Sequence, residues 1–294
     1  MADLDDGIAR TSQMSWALLT VDYRSTGMGL DEFCSIMREV EGLLYMTEKP
    51  LLEICVDSAE SAQAAQRGGA NRVELCSNWL DGGVTPSAGL IAVVRKRISI
   101  TFHVMIRPRG GDFLYSAEEF EAMKHDLDVA KNLHADGIVL GILNHDGNVD
   151  VARTRNLVER ARPLSVTFHR AFDMAPNLTQ SLEDVIRTGA HRILTSGGEP
   201  KAEDALETLA ALVYKAGNRI EIVAGGGIRD YNVKSIIEAT DAREVHVGQG
   251  GVEILFASAA NHCNQRVRIG AVQGHEYQRS VVSEEKVRKL VDAL

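Results

Sequence analysis

Cysteine is scarce: Cys34, Cys55, Cys76 and Cys263 are the only four in 294 residues, and no two form a CxxC pair. A chain this long needs no disulfide staples, so scattered thiols fit a reducing setting and a cytoplasmic location is expected. Excess basic charge is missing too. Lys and Arg total 32 against 41 Asp and Glu, a net charge of -9, and the cations are dispersed rather than gathered into a patch. That balance offers little to a phosphate backbone, and no nucleic-acid partner is expected. Apolar runs are strand-length, far short of the ~20 residues that span a bilayer, and the acidic N-terminus has no basic n-region. Neither membrane insertion nor secretion is expected. The six prolines form no Pro/Gly-rich linker, and no second composition regime divides the chain.

What is present is a repeat of short apolar runs, each ending in a polar cluster. Strand starts fall near Leu51, Arg72, Thr101, Asp136, Leu164, His191, Ile220 and Glu244, and a segment of helical periodicity follows each. Strands alternating with helices imply parallel βαβ units. Eight such units predict an α/β chain closed into a single TIM-type (β/α)8 barrel over residues 50–294, a fold that needs roughly 250 residues. A six-unit open sheet is the competing architecture. Residues 1–49 show no barrel unit and read as an N-terminal extension, either mobile or holding a short amphipathic helix over 30–45. Thr85-Pro86 reads as a helix N-cap with Pro at the first helical position. Ser116 with Glu119 reads as a capping box for a helix running to about Leu133.

Strand alternation then sorts the faces. Residues two apart share a face, so Glu53 and Cys55 line one surface of the first strand while Leu52 and Ile54 line the other. The second strand repeats the pattern with Glu74 and Cys76 against Val73 and Leu75. On the same rule His103, Met105, Arg107, Thr167, His169, Glu244 and His246 face the barrel axis. Barrel interiors are usually filled by Val, Ile and Leu, because an unpaired buried charge costs several kcal/mol. Glu53, Glu74 and Arg107 are therefore expected to need one another. Such a network can serve the barrel's stability alone. Its place near the strands' C-terminal ends instead favours a catalytic set of Glu53, Glu74, Arg107 and His169. Arg107 or Arg109 would clamp a small anionic metabolite, and Glu74 or His169 would exchange a proton.

Two further signals occupy the same end of the barrel. Glycine-rich turns follow the sixth strand (Ser196, Gly197, Gly198), the seventh (Gly225, Gly226, Gly227) and the eighth (Gly248-Gln249-Gly250-Gly251). Backbone N–H groups there can converge on an anion, so Arg109, Ser196, Gly197, Gly226 and Gly227 are candidate anion ligands; tight turns alone would also use glycine. Cys55, Cys76, Met105 and the three inward histidines are the soft and imidazole donors that copper prefers, while buried cysteine also packs as a small hydrophobe.

Long segments resemble the CutC copper-homeostasis family: Glu53–Ser58, Arg72–Ser77, Gly82–Ser87, Met105–Phe113, Val166–Asp173 and Leu194–Gly197, within a stretch from about Leu51 to His246. The resemblance implies a cytosolic TIM-type barrel, homo-oligomeric as a dimer or tetramer, that binds Cu(I) through two strand-end cysteines matching Cys55 and Cys76. The turn Gly248–Gly251 departs from the small polar turn usual in relatives. Two functions are thus expected: Cu(I) binding at the barrel mouth, or an enzyme acting on a small anionic or phosphorylated metabolite.

Overall fold

The structure, a computed structural model, describes residues 49–248, 251–256 and 278–294 together with Arg266 and Val272. Residues 1–48, with the helix expected over 30–45, Cys34, Gln249, Gly250 and Cys263 lie outside the described residues.

Eight parallel strands close into a barrel in simple sequence order. They are β1 (Leu51–Val56), β2 (Arg72–Leu75), β3 (Thr101–Met105), β4 (Gly137–Leu140), β5 (Ser165–Phe168), β6 (Arg192–Thr195), β7 (Glu221–Gly225) and β8 (Glu244–Val247). β1 pairs with both β2 and β8, which closes the sheet and rules out the open alternative. Four strands begin where the apolar runs predict; β4 to β7 each begin one residue later.

Helices cover the outside: α1 (Ala59–Gly68), α2 (Ala88–Arg95), α3 (Ala117–Asn132), α4 (Val151–Ala161), α5 (Leu178–Thr188), α6 (Leu206–Ala216) and α7 (Val233–Thr240). Leu52, Ile54, Val73, Leu75, Phe102, Val104, Val245 and Val247 all join the core beneath them. Each such burial contributes roughly 1.5–3 kcal/mol, which is what pins the strand register. Cys55, Cys76 and Met105 instead form a separate small cluster inside the barrel.

The capping box of α3 forms as expected: the Ser116 hydroxyl accepts from Glu119 N, and the Glu119 carboxylate accepts from Ser116 N. Thr85 does something else. Ser87, not Thr85, caps α2, and the Thr85 hydroxyl instead donates to the Arg107 carbonyl and accepts from its N–H, at 3.1 and 2.9 Å. A Thr-Pro pair near a helix start is ambiguous because the cap is chosen by which hydroxyl reaches an unpaired helix N–H.

The eighth outer helix is not reached directly from β8. An antiparallel ribbon of β9 (Val252–Phe256) and β10 (Gln278–Val282) precedes α8 (Glu284–Ala293). α8 then packs on α1 so closely that a Cβ at Gly68 would stand 2.6 Å from Val287 Cβ.

Candidate functional site

The floor of the interior is an ion-pair network. Arg72 shares its face of β2 with Glu74, and the register sets it opposite Glu53. Its guanidinium donates to Glu53 and, at 2.6 Å, to Glu244. Arg192 on β6 donates to the same Glu244 at 2.9 Å. Burial alone would raise the Glu53 pKa, but the Arg72 charge and a 2.6 Å hydrogen bond from His246 Nδ1 hold that carboxyl well below the usual range. Glu53 is therefore a buried anion with its lone pairs already committed.

Above it lies a cluster of a different kind. His246 sits opposite Glu53 in the strand register, and Cys55 opposite Glu74. The Cys55 and Cys76 sulfurs are 3.3 Å apart. Cys55, Glu74 and His246 each bring a donor atom to within 4.8 Å of the others. Burial pushes the Glu74 carboxyl up to about 6 against the pull of His246, and the Glu53 charge adds to the rise. Burial would lower the His246 pKa, yet the two carboxylates beside it, Glu74 and Glu53, raise it. The Cys76 contact, then burial, push the Cys55 thiol well up, so it is a thiol until something replaces its proton.

Two further histidines fill the axis, and glycines on β4 and just after it make room for them. A Cβ at Gly137 would lie 2.4 Å from the His103 ring, and one at Gly141 would lie 2.4 Å from His169 Nδ1. Burial drives the pKa of both rings down to about 3, with Arg107 assisting at His169, so both stay neutral at neutral pH. His169 Nδ1 accepts from Ala171 N at 3.2 Å, which leaves the proton on Nε2, and Nε2 has no hydrogen-bond partner. Glu74 Oε1 is likewise without one.

The arginines expected to clamp an anion are occupied. Arg107 does not pair with Glu53 or Glu74; its guanidinium donates to the carbonyls of Asp81, Gly83 and Gly111 at 2.5, 2.7 and 2.8 Å and lies over Phe113. It ties the loop after β2 to the loop after β3, because unpaired carbonyls nearby compete for its five donors. Arg109 pairs with Glu119 and Asp112 at 2.6 and 2.9 Å, away from the cavity. The Ser196 hydroxyl and N–H are taken by Asp173, with Arg170 donating to the hydroxyl, and the Gly197 N–H donates to Thr195 Oγ1. Gly226 and Gly227 do line the cavity. Their φ values of +100° and +71° and the close approach of Ser196 and Lys201 require glycine there, whatever else the turn does.

Together these elements enclose a cavity of about 440 Å3 at the C-terminal ends of the strands. Cys55, Glu74, Arg107 and His169 reach its surface, whereas Glu53 and Cys76 lie behind it. Trp79, Lys201 and Arg229 also line it and were not singled out by sequence. Strand parity could have found Arg72; Trp79 sits on a short 3-10 turn (Trp79–Asp81) that carries no periodic signal.

Known proteins resemble this chain over most of its length. The CutC family profile matches residues 50–251. A "family protein CutC" of Chromobacterium violaceum is 48% identical over 244 residues, covering 83% of this chain and 98% of its own. The mouse "copper homeostasis protein cutC homolog" is 46% identical over 241 residues, covering 82% of this chain and 88% of its own. The crystal structure of a putative copper homeostasis protein CutC from Streptococcus agalactiae superposes with a TM-score of 0.63 at 35% identity, over 68% of this chain and 98% of that one. The chain therefore belongs to the CutC copper-homeostasis family.

Proposed function

We propose that this protein binds Cu(I) at the barrel mouth, with Cys55 and Cys76 as ligands and copper as its cargo. One observation carries the reading: two buried sulfurs 3.3 Å apart, with the Glu74 and His246 donors within 4.8 Å of Cys55. Thiolate and imidazole are the donor types that Cu(I) selects. With metal–sulfur bonds of about 2.3 Å, both sulfurs reach one ion, but a linear arrangement would need them about 4.6 Å apart. Their spacing thus favours a bent pair completed by a third donor, a role we assign to His246. We also read the protein as a cytoplasmic homo-oligomer, dimer or tetramer, with residues 1–49 as an extension to the barrel domain; light scattering behind size exclusion tests the assembly.

Binding must expel the Cys55 proton, so apparent affinity should rise with pH by at least about tenfold per unit below the thiol pKa. Anaerobic titration of Cu(I) against a competing chelator, repeated across pH, tests both points. A tight site in wild type that disappears in Cys55→Ala/Cys76→Ala supports the reading; unchanged affinity in the double variant removes it.

A further inference from the structure

A single ion leaves most of a 440 Å3 cavity unexplained. Pockets that take small organic molecules begin at about 300 Å3. The walls have the mixed character of such a pocket: Met105, Phe113, Leu194 and Pro200 supply apolar surface, while Arg107, Arg170, Lys201 and Arg229 supply four cations against two carboxylates, Glu74 and Asp81.

The wall also holds donors with nothing to donate to. His169 lines the cavity, and its buried Nε2–H has no acceptor. The indole N–H of Trp79 is buried and without an acceptor as well. Leaving a buried donor unpaired is costly, and a ligand oxygen would remove that cost. Neither donor is a copper ligand, since each nitrogen carries its proton.

At the rim, Arg170 is held by Asp173 and Lys201 by Glu203 at 3.1 Å, whereas Arg229 hydrogen-bonds the Ile228 carbonyl at 2.8 Å. The Lys201 stem crosses Gly227, so Lys201 and the Gly226-Gly227 turn border one corner.

We infer that the barrel mouth is a binding site for a small organic oxyanion, a short carboxylate or phosphate monoester. Its charged group lies in the corner of Lys201, Arg229 and the Gly226-Gly227 turn, and a second oxygen accepts from His169 Nε2–H or Trp79 Nε1–H. The site is separate in its chemistry from the two sulfurs and stands whether or not copper binds.

Isothermal titration of the full chain, with a Cu(I) chelator present throughout, tests this. The probes are 3-phosphoglycerate, glycerate and inorganic phosphate. Saturable binding of 3-phosphoglycerate is expected; glycerate binding as tightly would make the carboxylate the recognised group, and inorganic phosphate competing would make it the phosphate. Lys201→Ala/Arg229→Ala should weaken binding by at least about tenfold, and Trp79→Phe by a smaller factor, with circular dichroism matching wild type. No saturable heat from any probe at millimolar concentration, or undiminished affinity in the rim double variant, would overturn the proposal.

Discussion

Arg72 is the residue on which the interior depends, because among the described residues it alone bridges Glu53 and Glu244. Buried ion pairs add little net stability when intact, yet removing one partner strands the other, at a cost of about 3–5 kcal/mol. Arg72→Met should therefore lose about that much in urea unfolding. It should also release Glu53 from its depressed range, which a carboxyl-resolved NMR titration reads. Loss of under about 1 kcal/mol would mean the carboxylates find other partners. Much of this was legible beforehand. Alternation along β1, β2, β3, β5 and β8 put Glu53, Cys55, Glu74, His103 and His246 on one face, because side-chain parity is fixed by the pleat. Arg107 was misread for a physical reason: parity says which way a side chain points, not which of several nearby acceptors wins it. Backbone carbonyls of the loops after β2 and β3 took it.

Among the elements, β4 and the residue that follows it make room for the two neutral histidines. Gly137 and Gly141 face the axis at the two levels where His103 and His169 cross it. Gly141→Ala would drive a methyl into the His169 ring, disturbing its contact with Phe113 and its bond from Ala171 N. A loss of about 1–3 kcal/mol in thermal or chemical unfolding is expected. Gly89 on α2 offers the contrast, since a Cβ there meets only Ser87 Oγ at 3.9 Å. Gly89→Ala should stabilise by up to about 1 kcal/mol, because only chain entropy changes. Equal effects at the two positions would contradict the packing argument. Element order was readable in the sequence since eight apolar runs alternate with amphipathic segments. The β9–β10 ribbon was not, because its two strands are far apart in sequence and β10, Gln-Arg-Ser-Val-Val, carries no apolar run to mark it.

For the whole molecule, the buried titratable groups set how stability follows pH. His103 and His169 stay neutral in the fold down to about 3, while their ordinary pKa is 6.5. Below that ordinary value the unfolded chain takes up protons that the fold refuses, so stability present above 6.5 is lost as pH falls toward about 3. Glu53, with its depressed pKa, extends the loss below its ordinary 4.5. Glu74 works in the opposite sense: raised to about 6, its contribution is complete below 4.5 and lost as pH rises through about 6. His246, with its raised pKa, acts in the same sense as Glu74; the two histidines drawn down to about 3, together with Glu53, outweigh them, so the melting temperature should fall on acidification from about pH 7 to about pH 4. His169→Phe should show a shallower fall; parallel curves would contradict a neutral His169.

The central claim concerns the two sulfurs, and X-ray absorption at the copper K-edge of Cu(I)-loaded protein reads them directly. Two sulfur neighbours at about 2.3 Å, with a lighter third neighbour, is the expected shell. A shell of nitrogen and oxygen alone would contradict the assignment of Cys55 and Cys76.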